Sequence, residues 1–226
     1  MEKMKRQQPL TTASPDSPGA LKKAFACLLW LSILLSSFVV QAQTITWTGA
    51  TSSDWNTPTN WDTGVVPGAS DQVIIPEVTN SPRLDQDRQV GTLNMTDNSS
   101  LDLSNFTFTV NERLESRRAV IANGTLKAFK YCSFAWATIN AELEASVSYF
   151  HTGESTFQKA VKVTYKIYAG LSNGFSVPTS VFEAVTEFIQ ERGDNWGLNV
   201  TGGTFKEKLI LTNSSTAIFI VVVLAY

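Results

Sequence analysis

Sulfur and imidazole are scarce in this chain, with two cysteines, three methionines and one histidine among 226 residues. Each scarcity closes off a class of chemistry. Cys27 lies inside the apolar segment 24–40, so removal of that segment leaves Cys132 alone, without a disulfide partner or a structural zinc set. Cys132 then reads as a small buried apolar residue. His151 by itself cannot supply a histidine metal triad. No Gly-Gly-x-Gly-x-Asp calcium repeat is present. Gly202-Gly203-Thr204 runs into Phe205 where a phosphate loop needs lysine and a helix. No cofactor, no metal and no catalysis are therefore expected.

Positive charge is also thin. Residues 1–42 hold five of the 18 basic and two of the 20 acidic residues, so the remainder carries a formal charge of −5. No basic stripe is left to grip phosphates, which excludes nucleic acid as an expected partner. Long apolar runs are confined to the two ends. At the first, Lys22 and Lys23 precede the apolar segment 24–40, and Val40-Gln41-Ala42 offers a signal-peptidase site before Gln43. Residues 1–42 thus read as a signal peptide directing the chain to the cell surface or the medium. The competing reading is an uncleaved anchor, since the segment 24–40 sits at the lower limit of length for spanning a bilayer. Contact with a membrane is expected only through that segment.

What the chain has in quantity is short alternating runs. Val90-Gly91-Thr92-Leu93-Asn94-Met95, Leu101-Asp102-Leu103 and Phe106-Thr107-Phe108-Thr109-Val110 alternate apolar with polar, parted by Asn, Asp and Ser clusters. Such runs are strands that bury one face, and no helical stretches intervene to make a βαβ layout. Further on, Thr156-Phe157, Val181-Phe182 and Thr204-Phe205 recur at a nearly constant interval, with Ser133-Phe134 a weaker member one interval earlier. Second apolar runs follow near 167–171, 196–200 and 217–224. One strand pattern per 20–50 residues is the mark of a stacked solenoid. Equivalent residues on successive coils lie about 4.8 Å apart, so the phenylalanines are expected to form an internal stack. Residues 180–192 also satisfy a helix pattern, with Ser180 and Glu183 as a capping box. The strand reading is preferred there because it stays in register with its neighbours.

The expected fold is all-β, a parallel β-helix or β-solenoid behind a signal peptide at 1–42. Its Trp-rich cap and first coils occupy 43–90, and repeats of about 23–25 residues occupy 91–226. The apolar end, 217–226, stops without turn or cap, which leads to the expectation of an incomplete solenoid.

Three of the six tryptophans, Trp47, Trp55 and Trp61, fall within residues 44–76 among Asn, Asp, Thr, Gly and Pro. Two readings stand for them. They close the end of the solenoid, or they form a sugar-stacking platform whose neighbours Asp54 and Asn60, with Asn56 and Asp62, bond hydroxyls. The cap is preferred, because Asn56-Thr57-Pro58-Thr59 and Val66-Pro67-Gly68 are turn chemistry suited to reversing the chain. Asp85 and Asp87 flank Gln86 between Arg83 and Arg88 and read as a charge-balanced loop, and Arg113, Glu115, Arg117 and Arg118 as a polar turn.

Residues 44–76 also carry a dense set of short motifs. These are Thr46-Trp47-Thr48-Gly49-Ala50, Asp54-Trp55-Asn56, Asn60-Trp61, Val66-Pro67-Gly68, and Asp71 before Val73-Ile74-Ile75-Pro76. The stretch resembles the N-terminal region of large repetitive exported proteins of the Bacteroidetes type, and the later Thr-Phe units resemble the strand repeats that follow in them. That resemblance implies an adhesin-like, surface-displayed or secreted β-helix, of which this chain is a fragment lacking the C-terminal sorting domain. The implied partners are surface glycans or other cell-surface proteins. The function expected is non-catalytic and structural, the alternative being a β-helix that binds or cleaves carbohydrate.

Overall fold

A computed structural model describes residues 41–166, 174–191, 198–213 and 218–221. The segment read as a signal peptide therefore lies outside the described residues up to Val40, as do the apolar run 167–171 and parts of those at 196–200 and 217–224. The described chain is all-β, a parallel β-solenoid of about six turns. Each full coil visits three faces.

The first face stacks β1 (Thr44–Thr46), β2 (Gln72–Ile75), the second half of β3 (Arg88–Met95) and the second half of β5 (Thr107–Arg117). The second halves of β6 (Val120–Ala135) and β7 (Thr138–Gly153) continue it, and β10 (Gly174–Ser176) ends it. The second face stacks the first half of β3, then β5, the middles of β6 and β7, β9 (Val161–Tyr165), β12 (Thr186–Gln190) and β14 (Leu209–Asn213). The third runs from β4 (Ser100–Asp102) through the starts of β6 and β7 to β8 (Thr156–Phe157), β11 (Val181–Phe182) and β13 (Thr204–Phe205). All these pairings are parallel; β15 (Ile218–Val221) breaks the pattern by pairing antiparallel with β14.

Alternation decides which side chains point inward. On the first face Ile45, Val73, Leu93, Leu114, Cys132, Phe150 and Phe175 share one register and are all buried. On the third, Leu101, Ile121, Ile139, Phe157, Phe182 and Phe205 form the matching inner column. The expected phenylalanine stack is present: Phe157, Phe182 and Phe205 lie 4.8 Å apart ring to ring, tilted by only 4° and 10°. Residues 181–182 and 186–190 are strand, so tertiary register overrides the local helix pattern.

Coil length is not uniform, contrary to expectation. The longer interval holds for Phe157 to Phe182 to Phe205. Upstream the register pairs Ile121 with Ile139 and Ile139 with Phe157, and there the coil is shorter, with the same separation of 18 that divides Ala137 from Ser155. Phe134 is consequently not the fourth member of the column. It belongs to the first face, and meets Phe157 edge-on at 5.3 Å. The longer coils carry extra chain between faces, which leaves the strand register untouched.

One corner is built by left-handed residues. Asn98, Arg118, Trp136, Glu154 and Thr179 have φ between 44° and 60°, and Gly202 continues the column. Each turns the chain sharply between the first and third faces. Stacking backbone bonds hold them, as in Arg118 N–H to Ala135 O (2.8 Å) and Trp136 N–H to Gly153 O (2.7 Å). For a bulky side chain this conformation costs about 1–2 kcal/mol, which the inter-coil ladder overrides.

Candidate functional site

Two constellations stand out, one inside the N-terminal end and one on the outer surface. The first contains the tryptophans. Trp47 and Trp55 are fully buried and Trp61 is 3 % exposed. Trp61 meets Trp47 and Trp55 edge-on, with centroids 4.8 and 4.7 Å away, and Trp55 in turn packs against Phe108 of the second face. A sugar platform needs an exposed ring face, and none of these three has one. The structure therefore corrects that reading: the rings plug the solenoid interior below its first coils.

The polar residues proposed to bond sugar hydroxyls are occupied within the same plug. Asn60 is fully buried. Its Oδ1 accepts from Thr51 N–H (2.9 Å), Ser52 N–H (3.0 Å) and the Thr51 hydroxyl (2.8 Å), and its Nδ2 donates to Ser52 Oγ and Asp54 O, both at 2.9 Å. Asp54 accepts from Asn56 N–H and the Thr57 hydroxyl, an Asx-type turn. Asp62 Oδ1 accepts from Thr46 N–H (2.8 Å) while its own N–H donates to Thr46 O (3.0 Å). Together with Thr48 N–H bonding Asn60 O (2.7 Å), these contacts occupy the outer edge of β1. An open strand edge is a template for unwanted pairing, and this segment covers it. Gly49 is required there, because its φ is +59° and a Cβ would lie 2.4 Å from Asn80 O.

The second constellation was not found from the sequence as a group. It lies on the outward side of the first face, where Arg113, Tyr131, Tyr149 and Gly174 occupy one column. The tyrosine rings are parallel, 4.4 Å apart, with the Arg113 guanidinium 3.8 Å above Tyr131. Burial pushes the Tyr131 phenol up, against the opposing pull of Arg113. The hydrogen bond from Arg113 to Glu115 raises the affinity of the guanidinium for its proton. Gly174 places no side chain over the far face of Tyr149; a Cβ there would meet the ring at 3.4 Å.

At the other end of the same strands stands the left-handed corner. Trp136 is 47 % exposed, lies 5.1 Å from the Arg118 guanidinium, and donates its indole N–H to Glu154 at 2.9 Å. Arg113, Glu115 and Arg117 are thus strand residues on an outer face, and only Arg118 turns a corner, where the sequence suggested a polar turn throughout. A signal existed: the separation of 18 between Trp136 and Glu154 also links Arg118 to Trp136, and Arg113 to Tyr131 to Tyr149. The longer interval seen in the later phenylalanines obscures it.

In the loop at 83–88 the charges pair off. Asp85 and Arg88 meet at 2.7 Å, and Asp87 accepts from Thr107 N–H, so the loop is charge-balanced as expected. Burial pushes the Cys132 thiol well up, in keeping with an inert core residue. Among the described residues no group of three or more His, Cys, Asp or Glu is placed to hold a metal ion, and no helix is long and apolar enough to cross a membrane.

Residues 46–128, which span the tryptophan plug and the coils built on it, match a family described as a domain of unknown function, DUF8693. No curated protein and no solved structure gives a match.

Proposed function

We propose that this chain is a non-catalytic, adhesin-like structural segment of an exported protein, working at the cell surface or in the medium. The observation that carries the reading is how the outer charges are used. Lys127 pairs with Glu144 (3.1 Å), Lys162 with Glu187 (3.0 Å), Lys166 with Glu191 (3.0 Å) and Lys206 with Glu183 (2.8 Å). In each pair the partners sit on adjacent coils of one column. Arg118 and Asp97 make the same kind of link. General acid–base work needs carboxylates converging in differently tuned environments, whereas these are spent holding coils together. Individually such exposed pairs contribute about 0–1 kcal/mol, but they fix the register of a long stack. The apolar segment 24–40 and the site before Gln43 support export.

Fractionation tests this. The chain recovered from the medium or shaved from intact cells by protease is expected to begin at Gln43. Recovery from the cytoplasm with residues 1–42 intact overturns the export reading. Depolymerisation of any polysaccharide by the purified chain overturns the non-catalytic one.

A further inference from the structure

We infer that the outer side of the first face, from Tyr149 to Trp136, binds a neutral glycan chain. The inference rests on the proposal that this surface meets the outside medium, and it names the partner the surface takes.

The argument begins with a cost. Trp136 holds a left-handed backbone, φ 55°, in a column where Gly202 shows that no side chain is needed to turn the corner. A half-exposed indole there adds little to the core, and a strained bulky residue on a surface points to use outside the fold. Its N–H is held by Glu154, so the ring is fixed in orientation before any ligand arrives. Further along the same strand direction stands the tyrosine column, about 16 Å away at ordinary strand rise. Between these aromatic groups the outward residues are small or polar: Ser133, Ala135, His151 and Gly153. The result is a shallow floor between two aromatic stops.

Charge decides the class of ligand. Arg113 is paired with Glu115, Arg117 and Arg118 with Asp97, and Glu154 accepts from Trp136. Taken together these groups sum to zero, and each already has a partner. A polyanion or polycation would have to break those pairs and finds no net field to draw it. An apolar protein surface finds no large aliphatic side chain on this floor to pack against. A neutral sugar chain fits both conditions. Its C–H faces stack on Trp136 and on the face of Tyr149 over which Gly174 places no side chain, and its hydroxyls bond to Ser133, His151 and the guanidinium edges.

The test uses the purified chain titrated with neutral oligosaccharides (β-1,4-glucan, xylan and mannan fragments) and, in parallel, with heparin and polyuronate. Saturable binding to at least one neutral series is expected, unchanged between low and high salt. Trp136→Gly is expected to weaken it at least tenfold while the melting temperature holds or rises, since glycine suits the corner. Gly174→Val, whose Cβ meets the Tyr149 ring at 3.4 Å, is expected to weaken it likewise. Binding that survives both variants overturns the inference. So does failure of every neutral series, or binding confined to the polyanions with steep salt dependence. Because titration is done in solution, it fails or succeeds independently of where cells place the chain.

Discussion

The tryptophan plug and the phenylalanine column fill the same interior by opposite geometries. In the plug, Trp61 meets its two neighbours at 80° and 73°, and a buried polar network around Asn60 ties the rings' backbone together. In the column, Phe157, Phe182 and Phe205 lie nearly parallel, with no polar group involved. Translation along the solenoid axis forces the second arrangement: identical residues in identical backbone positions take the same rotamer, so their rings stack. No such symmetry exists at the end of a stack. There a non-repeating surface must be filled, and edge-to-face contacts suit the aromatic quadrupole while closing space in three directions. An end is therefore specified residue by residue, and a coil only by residue class.

Four measurements sharpen or break that contrast. The largest effect is expected from Trp61→Ala, which leaves a cavity between two buried indoles and removes the N–H bonded to Trp55 O at 2.9 Å. A loss of about 3–5 kcal/mol is expected in urea unfolding, with hydrogen exchange rising first in β1 to β3. Asn60→Ala comes next. It strips the acceptor from the part-buried N–H groups of Thr51 and Ser52, and should cost about 2–4 kcal/mol. If it is neutral, the polar network is not what shapes the plug. Phe182→Leu should cost only about 1–1.5 kcal/mol, because the column asks for apolar volume and not for a ring. A larger loss than that from Asn60→Ala reverses the comparison.

The smallest effect is set by pH. Burial raises the Cys132 thiol, so the folded chain stays protonated where the unfolded chain ionises, from about pH 8.5 upward. The unfolded state then binds fewer protons, and stability falls as pH rises, by on the order of 1 kcal/mol between neutral pH and pH 9. Cys132→Ala should lower stability overall but flatten this slope. A slope equal to that of the unchanged chain shows that the thiol is not the group responsible.

Reading the sequence recovered the solenoid because period-two alternation and the Thr-Phe recurrence both report inward-facing columns. It located the plug because tryptophans set among turn residues suit a cap that must reverse the chain. It erred over Phe134 by extending the later interval backward, since coil length changes at the corners without disturbing the strands. Ile139, a different residue type one short coil before Phe157, takes the place in the column. Trp136, in turn, carries no local mark in the sequence. Its meaning depends on Arg118 and Glu154 standing on the coils either side.

By itself, then, the sequence determined the class of fold, the inward residues of most strands and the place of the plug. These follow from local alternation and composition, which act within a few residues. Only the tertiary structure decided which coil lies over which. That choice depends on contacts a full coil or more apart along the chain, from Arg113 over Tyr131 to the bridge between Asp54 and Arg83. It hides Trp47, Trp55 and Trp61 and sets Tyr149 and Trp136 on one outer face, because in a solenoid exposure is fixed by the neighbouring coil.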